Sequence, residues 1–162
     1  MKILFVQTGG TIDKDYAKVW KAYAFEIEDP AVERVLARVN PTFEYRVETV
    51  CKKDSMDMTD DDRQALYDAC AGALETHVII THGTDTMNQT AEFLSKISGK
   101  TIVITGSARP ERFENTDAHF NVGVAVGAVE SLRPGVYIAM NGVVSRWDKV
   151  QKDPKTGRFL AV

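Results

Sequence analysis

Short runs of consecutive apolar residues alternate along this chain with longer stretches in which apolar residues recur every three or four positions. Runs apolar on consecutive positions suit strands covered on both faces. Residues 2–7, 78–81, 101–105 and 136–140 are read as such strands. Phe43, Tyr45, Val47 and Thr49 alternate with polar residues and predict one more. Helical spacing links Val32, Val35, Leu36 and Val39, then Leu66, Ala69, Cys70, Ala73 and Leu74. It returns in Ala91, Phe93, Leu94 and Ile97, and again over residues 117–131. Asp29-Pro30 reads as a cap followed by Pro at the first helical position. Thr59 ahead of Asp60, Asp61 and Asp62 marks a helix start, because acids favour the positive end of the helix dipole. Gly123 and Gly127 are expected to let their helix pack closely on the sheet. Asn141-Gly142 predicts a tight turn into Val143-Val144. Strands alternating with helices predict an α/β fold, a parallel sheet covered on both faces. No repeat, low-complexity stretch or linker interrupts the pattern, so residues 1–162 are read as a single domain.

Composition narrows the function classes more than the fold. At 162 residues such a domain buries roughly 70% of its unfolded surface. The net charge is −3, and no basic stripe with interleaved aromatics is present, which argues against nucleic acid as a partner. Two cysteines make no disulfide framework; Cys51 and Cys70 are read as reduced thiols in a reducing compartment. The first apolar run is too short for a secretory core of roughly 7–15 residues. No run approaches the ~20 residues of a membrane span. A cytoplasmic location with no membrane contact is the expectation.

Chemistry-bearing residues gather directly after the strands. Thr8-Gly9-Gly10-Thr11-Ile12 follows the first, and Thr81-His82-Gly83-Thr84-Asp85-Thr86-Met87 follows the run Val78-Ile79-Ile80. In open α/β sheets, ligands bind at the carboxyl ends of strands. A Thr hydroxyl there, beside backbone N–H groups freed by glycines, has the parts of an activated nucleophile and an oxyanion hole. The first motif alone is also compatible with a phosphate-binding turn, although it has neither Walker nor dinucleotide spacing. Asp85 alone also suits a helix cap, and His82 a packed histidine. Asp54-Ser55-Met56-Asp57 and Gly106-Ser107-Ala108-Arg109-Pro110 are further polar candidates. Of Lys149, Lys152 and Lys155, one held beside Asp85 and a Thr would serve as a proton acceptor. His77, His82 and His119 lack neighbours at metal-ligand spacing, so no metal is predicted.

Taken together and in order, Thr8–Ile12, Asp54-Ser55 with Asp57-Met58, Ile80–Met87 with Thr90, Gly106 with Arg109-Pro110, and Met140-Asn141 running to Lys152 resemble the N-terminal domain of bacterial-type L-asparaginases and glutaminases. That resemblance implies a flavodoxin-like, doubly wound and mainly parallel sheet flanked by helices, with no cofactor. It implies hydrolysis of a side-chain amide through an acyl-enzyme, releasing ammonia. Thr11 is the implied nucleophile, assisted by a loop tyrosine, Tyr16 or else Tyr23. Thr84, Asp85 and Lys152 form the implied second triad. Ser55 would meet the substrate α-carboxylate, Asp85 its α-amino group, and the Ser107 backbone the leaving amide. Gly10, Met56 and Gly83 complete the expected substrate surface. Thr11 and Thr84 N–H groups would form the oxyanion hole.

Three departures accompany the resemblance. The family's enzymes are about twice as long and carry a smaller second domain. Met56 stands where a polar contact is usual, and a thioether cannot donate to a carboxylate. Asp13 and Asp15 would repel an anionic substrate if they faced the site. L-asparagine is the expected substrate and a homodimer the expected assembly. Two alternatives remain: a binding or sensing module for an aspartate-like ligand, and a subunit of a larger amidohydrolase or amidotransferase completed by a separate chain.

Overall fold

The structure, a computed structural model, describes residues 1–17 and 25–162. Strand β1 (Lys2–Gly9) leads through a single turn of 3-10 helix at Thr11–Asp13 into β2 (Lys14–Tyr16), which pairs antiparallel with β3 (Phe25–Ile27). Helix α1 (Ala31–Val39), β4 (Glu44–Lys53), α2 (Asp60–Gly72), β5 (His77–Thr81) and α3 (Met87–Leu94) follow. Then come β6 (Thr101–Thr105), α4 (Ala118–Ser131), β7 (Gly135–Met140) and β8 (Val143–Arg146). A small antiparallel pair, β9 (Val150–Lys152) and β10 (Phe159–Ala161), completes the chain.

Six strands form one sheet in the order β4-β1-β5-β6-β7-β8, parallel except for β8. Strand alternation sends Leu4, Val6, Val78, Ile80, Ile102 and Ile104 to one face, beneath α2 and α3. Ile3, Phe5, Ile79 and Val103 go to the other, beneath α1 and α4. Both faces are covered, which explains the unbroken apolar runs. From β1 the chain steps outward to β4, then returns to β5 on the opposite side of β1. The crevice at the carboxyl ends of β1 and β5 is therefore the topological switch point.

Several expectations meet a different outcome. Pro30 occupies the cap position of α1 and offers no side-chain acceptor. The cap comes instead from Asp13, whose Oδ1 accepts the Ala31 N–H at 2.7 Å. Asp13 is thus buried and turned inward, and Asp15 is paired with Arg112 at 2.8 Å. Neither acid lies free before the site. Leu74 is 96% exposed, because α2 ends at Gly72 and Ala73 is already extended. Gly123 and Gly127 do not touch the sheet: a Cβ on either would meet nothing. Ala118, Val122, Ala125 and Val129 pack inward, and the glycines face out beside Phe120. Thr59 caps α2 as expected, accepting the Asp62 N–H while the Asp62 carboxylate accepts the Thr59 N–H. Such a cap is worth about 1 kcal/mol. The hairpins β2–β3 and β9–β10 had no clear periodic signal.

Candidate active site

Two loops meet backbone to backbone at the switch point. Thr8 Oγ1 donates to the Thr81 carbonyl at 2.8 Å, tying the end of β1 to the end of β5. Gly10 has a φ of 85°, and a Cβ there would collide with the Gly83 backbone. A Cβ on Gly83 would lie 2.7 Å from the Ser55 side chain. Only glycine at both positions lets three segments converge, a close approach that needs the missing side chain.

This convergence brings Ser55, Thr84, Asp85 and Lys152 together. The Asp85 N–H donates to Ser55 Oγ at 3.3 Å, and Thr86 Oγ1 donates to the Ser55 carbonyl at 2.9 Å. Lys152, on β9, donates from Nζ to Thr84 Oγ1 at 2.8 Å and to Asp85 Oδ1 at 2.6 Å. Asp85 therefore binds the lysine rather than capping α3, whose cap position is Thr86. Lys149 and Lys155 are not in this cluster. A groove of about 450 Å³ opens beside it, lined by Asp85, Asn88, Trp147 and Lys152.

Lys152 reaches the site because Asn88 holds its segment. Asn88 Nδ2 donates to the carbonyls of Trp147 (2.9 Å) and Val150 (2.7 Å). Nothing in the sequence singles out Asn88; a polar residue in the first turn of a helix after the second motif is the only trace. Asn141 does similar work: its Oδ1 accepts the Phe159 N–H at 3.0 Å, anchoring β10.

His82 supports the second loop from beneath. Burial pushes its pKa down to about 4, so the ring is neutral near pH 7. Gly83 O, 2.7 Å away, can only accept, so Nδ1 carries the proton and Nε2 accepts the Thr90 hydroxyl at 2.9 Å. This is a packed histidine, not an exposed base.

Thr11 begins the turn after Gly10, next to Gly83. Among the described residues its hydroxyl has no hydrogen-bond partner, and the N–H groups of Thr11 and Thr84 likewise make no hydrogen bond to another described residue. Tyr16 is exposed and its ring packs against Phe25 at 4.7 Å between ring centroids. Tyr23 lies outside the described residues. Met56 is 71% exposed and lines a groove of about 710 Å³ with Lys14, Phe25 and Ile27. Ser107 is buried, its hydroxyl donating to the Arg109 carbonyl. The loop after it is fixed by Asp117, which accepts the Ala108 and Arg109 N–H groups at 3.0–3.1 Å.

Burial pushes the Cys51 thiol up to about 11 and the Cys70 thiol up to about 12, so both stay protonated, and neither is in a disulfide. Among the described residues no three His, Cys, Asp or Glu side chains converge as a metal site would require. No helix among them is long and apolar enough to cross a membrane.

Comparison with known proteins shows the family and the fold. Residues 2–158 match the family described as Asparaginase, N-terminal. A glutaminase-asparaginase of Pseudomonas aeruginosa is 31% identical over 151 residues, covering 86% of this chain and 42% of that protein. A probable periplasmic L-asparaginase of Haemophilus influenzae is 32% identical, covering 88% of this chain and 43% of that protein. The solved thermostable L-asparaginase from Thermococcus kodakarensis superposes over 100% of this chain and 51% of its own, with a TM-score of 0.88 at 25% identity. The chain thus spans about half the length of the relatives it matches.

Proposed function

We propose that this chain, which belongs to the asparaginase N-terminal family, carries the catalytic residues of an amidohydrolase acting on L-asparagine or a related small amide. The observation that carries the reading is Lys152 Nζ seated between Thr84 Oγ1 and Asp85 Oδ1, at the switch point and next to the turn bearing Thr11. An alcohol attacks an amide only when a base removes its proton and donors receive the oxyanion. In this proposal Thr11 Oγ1 attacks the side-chain amide carbon. The N–H groups of Thr11 and Thr84 take up the charge on the oxygen. The C–N bond then breaks, the nitrogen leaves as ammonia carrying the threonine proton, and a Thr11 ester remains. Water attacks the ester carbon and gives up a proton through Thr84 to Lys152; the bond from that carbon to Thr11 Oγ1 breaks, the proton returns to Thr11 Oγ1, and aspartate departs. Asp85 orients Lys152 and receives the substrate ammonium. Ser55 accepts from the Asp85 N–H and keeps its own proton to donate to the α-carboxylate. Gly10 and Gly83 admit the ligand to the backbone, and the Ser107 backbone accepts from the amide nitrogen. Tyr16, on the hairpin that follows Thr11, closes over the site; the names of the relatives support the substrate class.

Ammonia release from L-asparagine, L-glutamine and D-asparagine, compared between the parent and Thr11→Val, tests the reading. Release that disappears in the variant is expected; wild-type turnover by Thr11→Val refutes the nucleophile.

One observation favours a second reading. Asp85 is 50% exposed at its side chain, and Met56 offers no donor, so an aspartate-like ligand would bind without efficient turnover until a second chain covers the site. L-aspartate raising Tm with no ammonia release would identify it.

A homodimer is part of the proposal. The outward face of α4 presents Phe120, 59% exposed, beside Gly123 and Gly127. The neighbouring cleft of about 310 Å³ is walled by Val35, Val39, Phe43 and Val126. A cytoplasmic setting, supported by the two unbridged thiols, is likewise proposed, and cell fractionation decides it.

A further inference from the structure

The proposed chemistry leaves three buried carboxylates unused among the described residues, Asp13, Glu75 and Glu111, and Asp13 and Glu111 adjoin the turn that carries Thr11. Asp13 closes that turn, donating its N–H to the Gly10 carbonyl at 3.2 Å, and its own carbonyl accepts the Glu28 N–H at 3.0 Å. Its carboxylate supplies the cap that Pro30 cannot give to α1. Three residues into α1, Arg34 donates from Nε to Glu111 Oε2 at 2.5 Å. Arg38 and His119 lie 3.2 Å from the other carboxylate oxygen. The Glu111 N–H donates to the Ile12 carbonyl at 3.1 Å, which returns to the same turn. The path from the turn through Asp13, α1, Arg34 and Glu111 is therefore a closed circuit.

Burying these charges is costly. Burial lifts the Asp13 carboxyl to about 6, and the Ala31 N–H, Gln7, Arg34 and Thr81 offset only part of that. Burial also raises Glu111, yet Arg34, His119 and Arg38 together hold it below its ordinary value. Among the described residues Asp13 Oδ2, Arg34 Nη2 and Thr81 Oγ1 are buried with no hydrogen-bond partner. Such unpaired groups are rare and call for an explanation. The sheet does not need them, since Ile3, Phe5, Ile79 and Val103 already fill the core on this face. What the circuit's hydrogen bonds reach is the Gly10 and Ile12 carbonyls on either side of Thr11.

We infer that Asp13 and Glu111, joined through Arg34, are positioning residues that fix the Thr11 turn against the Thr84–Lys152 pair. This rests on the reading of Thr11 as the nucleophile. A displacement of about 1 Å is worth up to ~10²-fold in rate. Asp13→Ala and Glu111→Gln are therefore expected to lower kcat by roughly 10- to 100-fold, with KM changed less than about threefold. Asp13→Asn keeps an oxygen for the Ala31 N–H and is expected to restore kcat. An activity-independent measurement accompanies these: amide hydrogen exchange over residues 8–17. It is expected to quicken about tenfold or more in Asp13→Ala and Glu111→Gln, and to stay unchanged in Lys152→Met, which lies outside the circuit. If Asp13→Ala does not fold, Arg34→Lys, which keeps the charge but loses the Nε contact, gives the same comparison against Asp13→Asn. A parent enzyme releasing no ammonia overturns the proposed reaction but leaves exchange to decide whether the circuit holds the turn. Unchanged exchange over residues 8–17, or folded Asp13→Ala with parental kcat, overturns the positioning role.

Discussion

Replacing Lys152 by Met separates chemistry from stability at this site. The substitution keeps most of the aliphatic stem and removes the amine that bonds Thr84 Oγ1 at 2.8 Å and Asp85 Oδ1 at 2.6 Å. The lysine side chain is 26% exposed and the Asp85 side chain 50%. A pair so open to water is screened, and its loss costs roughly 0.2–1 kcal/mol of stability, a Tm shift of at most about 4 °C for a chain of this size. The kinetic cost is far larger. A positioned general base is worth about 10²–10⁴-fold, or roughly 3–5 kcal/mol of barrier. The assay is ammonia release at saturating L-asparagine, with a thermal melt on the same preparation. Lys152→Arg sharpens it: the guanidinium can still pair with Asp85 but never gives up its proton, so turnover is expected to fall as far as in Lys152→Met. Turnover within about tenfold of the parent in either variant would refute Lys152 as the proton acceptor. A loss matched by a collapse of Tm would make the lysine structural.

Other outcomes follow from the same geometry. Gly10→Ala, strained at a φ of 85° and pressed into the Gly83 backbone, is expected to cost about 1–3 kcal/mol in urea melts and to abolish turnover; unchanged stability would contradict the backbone contact. His82, held at about 4, favours the folded state above pH 6.5 and loses that contribution as pH falls from 6.5 to 4, about 3 kcal/mol in all. Asp13, raised to about 6, acts in the opposite sense: it contributes about 3 kcal/mol at acidic pH that is lost as pH rises from 3.8 to 6. The parent's stability between pH 4 and 6.5 is accordingly flat with respect to these two groups, whereas Asp13→Asn leaves a slope that rises with pH. Light scattering at micromolar protein is expected to return a dimer mass that Phe120→Ser reduces, and a monomeric parent would remove the dimer from the proposal.

The parallel sheet was legible because burial on both faces writes itself as unbroken apolar runs, and β6 keeps its expected limits of residues 101–105. The strands mark their own carboxyl ends, so the loops at Thr8–Thr11 and Thr81–Thr86 could be located by position alone. Lys152 could be chosen among three lysines only through the resemblance, because its place depends on Asn88 and a two-stranded hairpin. Gly123 and Gly127 misled because helical spacing shows that two residues share a face, not which way the face points. The cap on α1 was missed because its donor and acceptor are 18 residues apart, beyond any local pattern. The sequence does not show that Asp13 turns inward or that Glu111 is paired for the same reason: only the fold brings Arg34 to Glu111.

Lys152 lies 67 residues after Asp85 in the chain and enters from β9, outside the six-stranded sheet. During synthesis at ~5–20 residues per second, roughly 3–13 s separate the appearance of the carboxylate from that of its cation. Closing a loop of that length costs about 3–4 kcal/mol of chain entropy, which docking of β9 against Asn88 must repay. A nascent chain thus displays the two glycine loops well before Lys152 emerges to join them.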